Sequence, residues 1–214
     1  SAIAGDLGKG SILFEEWFDA SITSLDTLQS FADYPDRPHK SHWATAWDRP
    51  DGGEDYWGCR SRGYLYPPQT GDYTFWVASD DYSIVWLSTD EDPANRVQIC
   101  SVEGWMSYQD FAGSTGSPGT QFKSAAISLE AGKRYYVETL MHDGTGGGAI
   151  SVAWGGPGIG AGPVVVAGEY LAPWIRDSEP LLQATNPVPA NGEVGVTMPV
   201  IQWTPGLVAA WHDV

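Results

Sequence analysis

Two adjacent carboxylates, Asp80 and Asp81, sit at a corner between Tyr73-Thr74-Phe75-Trp76-Val77 and Ile84-Val85-Trp86-Leu87. Neighbouring side chains of a regular strand point to opposite faces, so two successive aspartates in a strand cannot share one ion. A cis peptide between them would turn both carboxylates to the same side. Ca²⁺ accepts several hard oxygen ligands, and with open positions it also accepts sugar hydroxyls. From these residues alone a plain turn explains Ser79-Asp80-Asp81 as well, because Asp and Ser side chains bond the local backbone. The rest of the chain has to decide.

The corner needs strands to hold it. Tyr73, Phe75 and Val77 alternate with Thr74 and Trp76, and 84–87 is a short apolar run, so the stretch 71–87 reads as a hairpin. Further strands are predicted over residues 10–18, 56–66, 96–102, 121–129, 134–140 and 149–154, the last closing the set. Glu15 and Glu16 read as a solvated strand face. Residues 24–31 form a short helical turn with Leu25 and Leu28 on one side. Long connections cover 33–53, with Trp43 and Trp47, 104–119, with Trp105 and Tyr108, and the glycine-rich 141–148. Many short strands, Gly/Pro turns and almost no helix indicate an all-β fold: an antiparallel β-sandwich with long loops at one tip.

The formal charge of −16 excludes nucleic-acid binding through basic patches and disfavours anionic membrane surfaces. No apolar run reaches the ~18 residues of a membrane span, so no membrane insertion is expected, and no signal peptide is visible. Cys59 and Cys100 fit no zinc spacing, which leaves one disulfide or two buried thiols; for an extracellular chain the disulfide is the expectation. After Trp174 the composition changes to a Pro/Asn turn cluster followed by Val194, Val196, Val200, Ile201 and Trp203. The predicted organisation is an N-terminal extension over 1–9, the sandwich over 10–175, and over 176–214 a linker with the start of a second β domain. The chain thus reads as a fragment of a multidomain protein.

Several pieces in order carry a resemblance. They are Gly10-Ser11-Ile12 with Glu15 and Trp17, Arg62-Gly63-Tyr64-Leu65 with Pro67-Pro68, and Gly71-Asp72-Tyr73-Thr74-Phe75 with Ser79-Asp80-Asp81. Trp86-Leu87-Ser88, Leu129-Glu130-Ala131-Gly132-Lys133-Arg134-Tyr135-Tyr136 and Val152-Ala153-Trp154 follow. Together they resemble the protective-antigen-type (fourteen-kilodalton) β-sandwich family, in its glycan-binding branch of flocculins and adhesins. The tail resembles the start of an immunoglobulin- or fibronectin-type module. The resemblance implies that Asp80 and Asp81 are a cis-linked pair holding Ca²⁺ that binds sugar diols. It implies further ligands from the loop 142–148, here Asp143 by side chain and Gly146 and Gly148 by carbonyl. The fungal members carry an asparagine in that loop, and this chain has none.

The expected function is a calcium-dependent, non-catalytic carbohydrate-binding module of a larger extracellular protein. Its partners would be glycans and further domains of the same chain. Loop aromatics Trp47, Trp105, Tyr82 and Tyr108 are candidates to stack on a sugar ring, alongside Asp80 and Asp81 as acceptors. The alternative is a structural spacer or protein-interaction domain in which calcium only rigidifies a loop. A glycosidase needs two carboxylates roughly 5–10 Å apart in a cleft, which adjacent aspartates on one turn do not supply.

Overall fold

The computed structural model describes residues 9–174 and, beyond them, the short strands Thr185–Val188 and Gln202–Thr204. The chain divides into two compact units, Ser1–Trp174 and Ile175–Val214. In the second, Thr185 pairs with Thr204 and Val188 with Gln202, antiparallel. The immunoglobulin- or fibronectin-type reading of the tail otherwise lies outside the described residues.

The first unit is a two-sheet antiparallel sandwich. Its strands are β1 (Ile12–Phe18), β2 (Lys40–Ala44), β3 (Asp48–Arg49), β4 (Trp57–Leu65), β5 (Gly71–Asp80) and β6 (Ser83–Ser88). They continue as β7 (Arg96–Val102), β8 (Ile127–Leu129), β9 (Tyr135–Asp143), β10 (Ala149–Gly156), β11 (Gly160–Val165) and β12 (Leu171–Pro173). One sheet runs β2-β1-β4-β9-β6-β7, with β12 also on β4. The other runs β11-β10-β5-β8, with β3 also on β10. Between them lie Phe14, Trp57, Phe75, Val77, Val85, Val137, Met141, Val152 and Trp154, all buried.

The expected hairpin over 71–87 is not formed. β5 pairs with β10 and β8, whereas β6 pairs with β9 and β7 in the opposite sheet. Tyr73, Phe75 and Val77 therefore meet Val85 and Leu87 across the core rather than beside them. The acidic corner is the place where the chain changes sheets. Other boundaries also moved: 33–53 contains β2 and β3, the strand expected over 121–129 is only β8, and β9 runs on to Asp143. β11 and β12 follow the strand expected to be last; β11 is rich in glycine and proline, so its sequence carries little strand signal.

Glu15 and Glu16 are buried, not solvated. Glu15 accepts hydrogen bonds from Arg60 Nε at 2.8 Å, Arg62 Nε at 2.8 Å and Arg62 Nη2 at 2.7 Å, two cations presented by the neighbouring β4. Glu16 faces Arg49 at 3.4 Å, His42 at 3.3 Å and Lys40 at 3.6 Å. The outer face of this sheet is partly roofed by helix α1 (Leu25–Ser30), whose Leu25 and Leu28 pack with Trp17 and Leu140. Its start is set by a capping box: Thr27 N–H donates to Ser24 Oγ at 3.1 Å, and Ser24 N–H to Thr27 Oγ1 at 2.9 Å.

The expected disulfide is also corrected. Cys59 on β4 and Cys100 on β7 are both free, with β9 and β6 between their strands. Three inter-strand steps of about 4.8 Å place them far beyond the ~7 Å Cα separation a disulfide tolerates. Alkylation in denaturant without reductant should therefore label both cysteines, read by intact mass; an unlabelled pair would overturn this topology. Glu15→Ala should destabilise the fold by about 3–5 kcal/mol in chemical denaturation, because two buried guanidiniums lose their counter-ion.

Candidate metal centre

Three chain segments converge at one tip. β5 ends on Asp80, Asp81 opens the crossing to β6, and β9 ends on Asp143. Asp81 N–H donates to the His142 carbonyl at 3.2 Å, and His142 N–H to the Tyr82 carbonyl at 3.2 Å, tying the crossing to the end of β9. The Asp80–Asp81 peptide is cis. Asp80, Asp81 and Asp143 each offer a carboxylate oxygen, and these oxygens lie within 4.8 Å of one another.

Asp143 is the most deeply buried of the three. Its side chain is 0% exposed, and neither carboxylate oxygen has a hydrogen-bond partner. An isolated buried carboxylate is expensive to keep ionised; it takes up a proton or a cation. Without a cation, burial pushes Asp143 up to about 7, aided by Asp81, Asp80, Asp55 and Asp51. Burial and then the adjacent Asp81 carry Asp80 up to about 6. The donor set is all oxygen and acidic. Its spacing suits one Ca²⁺, whose ligand oxygens stand up to about 5 Å apart at bond lengths of about 2.4 Å.

The remaining expected ligands divide. Gly146 lies in the loop after β9, where its N–H donates to Asp55 Oδ1 at 3.1 Å. The Gly148 carbonyl accepts Arg49 Nη1 at 2.7 Å, which sets a guanidinium beside that expected ligand. Gly148 is confined for another reason: a Cβ there would stand 2.4 Å from Trp57 Nε1.

The aromatics divide too. Trp47 is 1% exposed in the core and donates Nε1–H to Ser61 Oγ at 2.7 Å, so it cannot face a ligand; that expectation is corrected. Trp105 is 43% exposed, and the next residue, Met106, donates its N–H to the Ser79 carbonyl at 2.7 Å, which holds Trp105 beside the corner. Tyr108 is 41% exposed with its hydroxyl donated to Asp48; burial, and then that contact, push its ionisation up to about 12. Tyr82 is half-buried and stacks on His142 at 6.3 Å between ring centroids. His142 is held below its ordinary value by burial.

Sequence reasoning missed Asp51 and Asp55. Both stand on the connection before β4, within the electrostatic reach of Asp143. It also missed Trp57, which pairs with Asp143 in register and has a buried Nε1–H without a partner. The signal for Asp51 was present in Asp51-Gly52-Gly53, a turn sequence within a long connection.

The PA14 domain family model matches residues 36–166. The chain belongs to the PA14 domain family. This PA14 domain is 33% identical over 159 residues to N-acetyl-beta-glucosaminyl-glycoprotein 4-beta-N-acetylgalactosaminyltransferase 1 of Mus musculus, covering 68% of the chain and 14% of that protein. It is 31% identical over 87 residues to Fibrocystin of Mus musculus, covering 39% of the chain and 2% of that protein. Among solved structures, the PA14 sugar-binding domain from an RTX adhesin superposes with a TM-score of 0.57 at 10% identity, covering 78% of this chain and 100% of that one. The Epithelial Adhesin 6 A domain of Candida glabrata, in complex with Galb1-3GlcNAc, gives 0.53 at 13% identity, covering 81% and 90%. At such identities the likeness is one of fold.

A stability measurement tests the buried carboxylate. Asp143 ionises near 7 when folded and near 3.8 when unfolded, so between those values the folded chain holds a proton that the unfolded chain has lost. Raising pH through that window removes stability from the metal-free protein. In chelator, Asp143→Asn should flatten this decline and melt higher than the parent at pH 8; an unchanged profile would show that Asp143 is not strained by its burial.

Proposed function

We propose that this PA14 domain is a calcium-dependent, non-catalytic carbohydrate-binding module of a larger extracellular protein. The observation that carries the reading is Asp143, fully buried with both oxygens unpartnered and set against Asp80 and Asp81. A carboxylate in that state takes up a proton or a cation, and the two acids set against it favour a cation. Asp80, Asp81 and Asp143 would hold it by side chain, with Gly146 a candidate by carbonyl. When bound, Ca²⁺ supplies positions at which two neighbouring sugar hydroxyl oxygens are coordinated.

The protein's own groups do the rest. Asp80 and Asp81 are half-buried, so their outer oxygens can accept hydrogen bonds from the same hydroxyls. Gly144 N–H donates to Asp81 Oδ2 at 2.9 Å and fixes that carboxylate. Trp105 and Tyr108 offer apolar ring faces suited to the C–H face of a pyranose. Sugar-binding proteins among the structural neighbours support this reading. The small share of each curated relative that the chain covers supports a module within larger proteins. The glycosyltransferase name belongs to a protein of which this chain spans 14%, and the tip offers an ion site rather than an acid/base pair across a cleft. Binding at one exposed tip buries few atoms and should be weak, with avidity coming from repeated sites.

Calorimetric titration of monosaccharides with millimolar calcium, and again with chelator, tests the proposal. Heat should appear only with calcium, and Asp80→Ala should abolish both calcium and sugar binding while the circular dichroism stays that of a sandwich. Calcium stabilisation without any sugar heat would favour a spacer with a rigidified loop, and no response to calcium would leave the corner a turn.

A further inference from the structure

We propose that the loop bearing Asp51 and Asp55 makes this site select sugars by charge, accepting neutral and amino sugars and rejecting uronic and sialic acids. The inference rests on the glycan-binding reading above and concerns which glycans that site takes.

The geometry is specific. Asp51 accepts the Gly53 N–H at 2.7 Å through Oδ1, a turn that leaves Oδ2 directed elsewhere. A Cβ on Gly147 would lie 3.4 Å from Asp80 Oδ2 and 3.6 Å from Asp51 Oδ2, so these two oxygens stand within about 7 Å of each other. Asp55 is fastened to the opposite loop by the Gly146 N–H, and Tyr56 N–H donates to the Gly144 carbonyl at 2.8 Å. Asp51 and Asp55 are exposed, whereas the Asp143 carboxylate beneath them is buried and unpartnered. The tip thus carries five carboxylates, Asp51, Asp55, Asp80, Asp81 and Asp143.

A dication neutralises only two of those five charges. Arg49 reaches the Gly148 carbonyl, but its guanidinium is shared between Glu54 at 3.0 Å and Glu16 at 3.4 Å. Lys40 and His42 face Glu16 as well. A saccharide arriving at the ion therefore meets a surplus of negative charge on one flank. Over ~7 Å in a partly wet site, one such charge changes the affinity of a charged ligand by about threefold to tenfold, and salt screens the effect.

The test uses the full chain, calcium-saturated, titrated in parallel with galactose, galactosamine and galacturonic acid and with their gluco counterparts. In each series that binds, affinity should fall from amino sugar to neutral sugar to uronic acid, with at least about tenfold between the last two at low salt and less at high salt. Asp51→Asn should narrow that gap by about threefold or more; calcium, being doubly charged, should bind about tenfold more weakly at low salt yet still saturate the site at millimolar concentration. A uronic acid binding as tightly as the neutral sugar overturns the proposal while the glycan-binding reading stands. So does an Asp51→Asn variant with an unchanged gap, or one that loses calcium, since Asp51 would then be a ligand. If no sugar of any charge binds to the calcium-loaded protein, the glycan-binding reading itself falls, and the selectivity with it.

Discussion

A carboxylate without a donor, sealed at the end of a central strand, is the constraint around which the tip is arranged. Hydrogen bonding to Asp143 would have relieved its burial, yet neither of its oxygens has a partner and its neighbours are acids. The surrounding loops are then positioned by backbone bonds. The crossing is tied to β9 through His142, Tyr56 to Gly144, and the 104–119 loop to Ser79 through Met106. These bonds hold like charges together.

The sandwich makes this possible because its two sheets are joined at that point. The chain leaves β5 on Asp80 and enters the opposite sheet at Ser83, so the acidic pair occupies the rim where the sheets diverge. Behind the rim, charge is handled in the opposite way. Glu15 and Glu16 are buried, but each is answered by cations on adjacent strands, and Arg60 lies 5.6 Å from the Trp17 ring while Arg62 lies 3.9 Å from the Trp174 ring. Acids are thus compensated in the body of the sandwich and left uncompensated at the tip.

How far all this could be read from residues alone depended on range. Alternation in β5, β4 and β7 and the Gly/Pro punctuation sufficed for an all-β sandwich, and the ordered family pieces placed Asp80, Asp81 and Asp143 together. Partner choice was not legible: a turn between two apolar runs looks the same whether the strands pair or part, which is why β5 and β6 were read as a hairpin. Burial by long-range pairing was equally hidden. Glu15 reads as surface until Arg60 and Arg62, 45 and 47 residues away, are brought beside it. Trp47 shows the same limit, being a loop residue by sequence and a core residue by contact. Asp51 went unnoticed because only folding sets it across Gly147 from Asp80.

The two thiols carry one further consequence. Cys59 and Cys100 are buried on strands that never adjoin, and no covalent bond staples the described residues. The sandwich can therefore mature without an oxidant or a disulfide isomerase, and a shift from oxidising to reducing surroundings leaves its covalent structure untouched. Its hold on shape is set by packing, by buried ion pairs and by the charge balance at the rim rather than by redox potential.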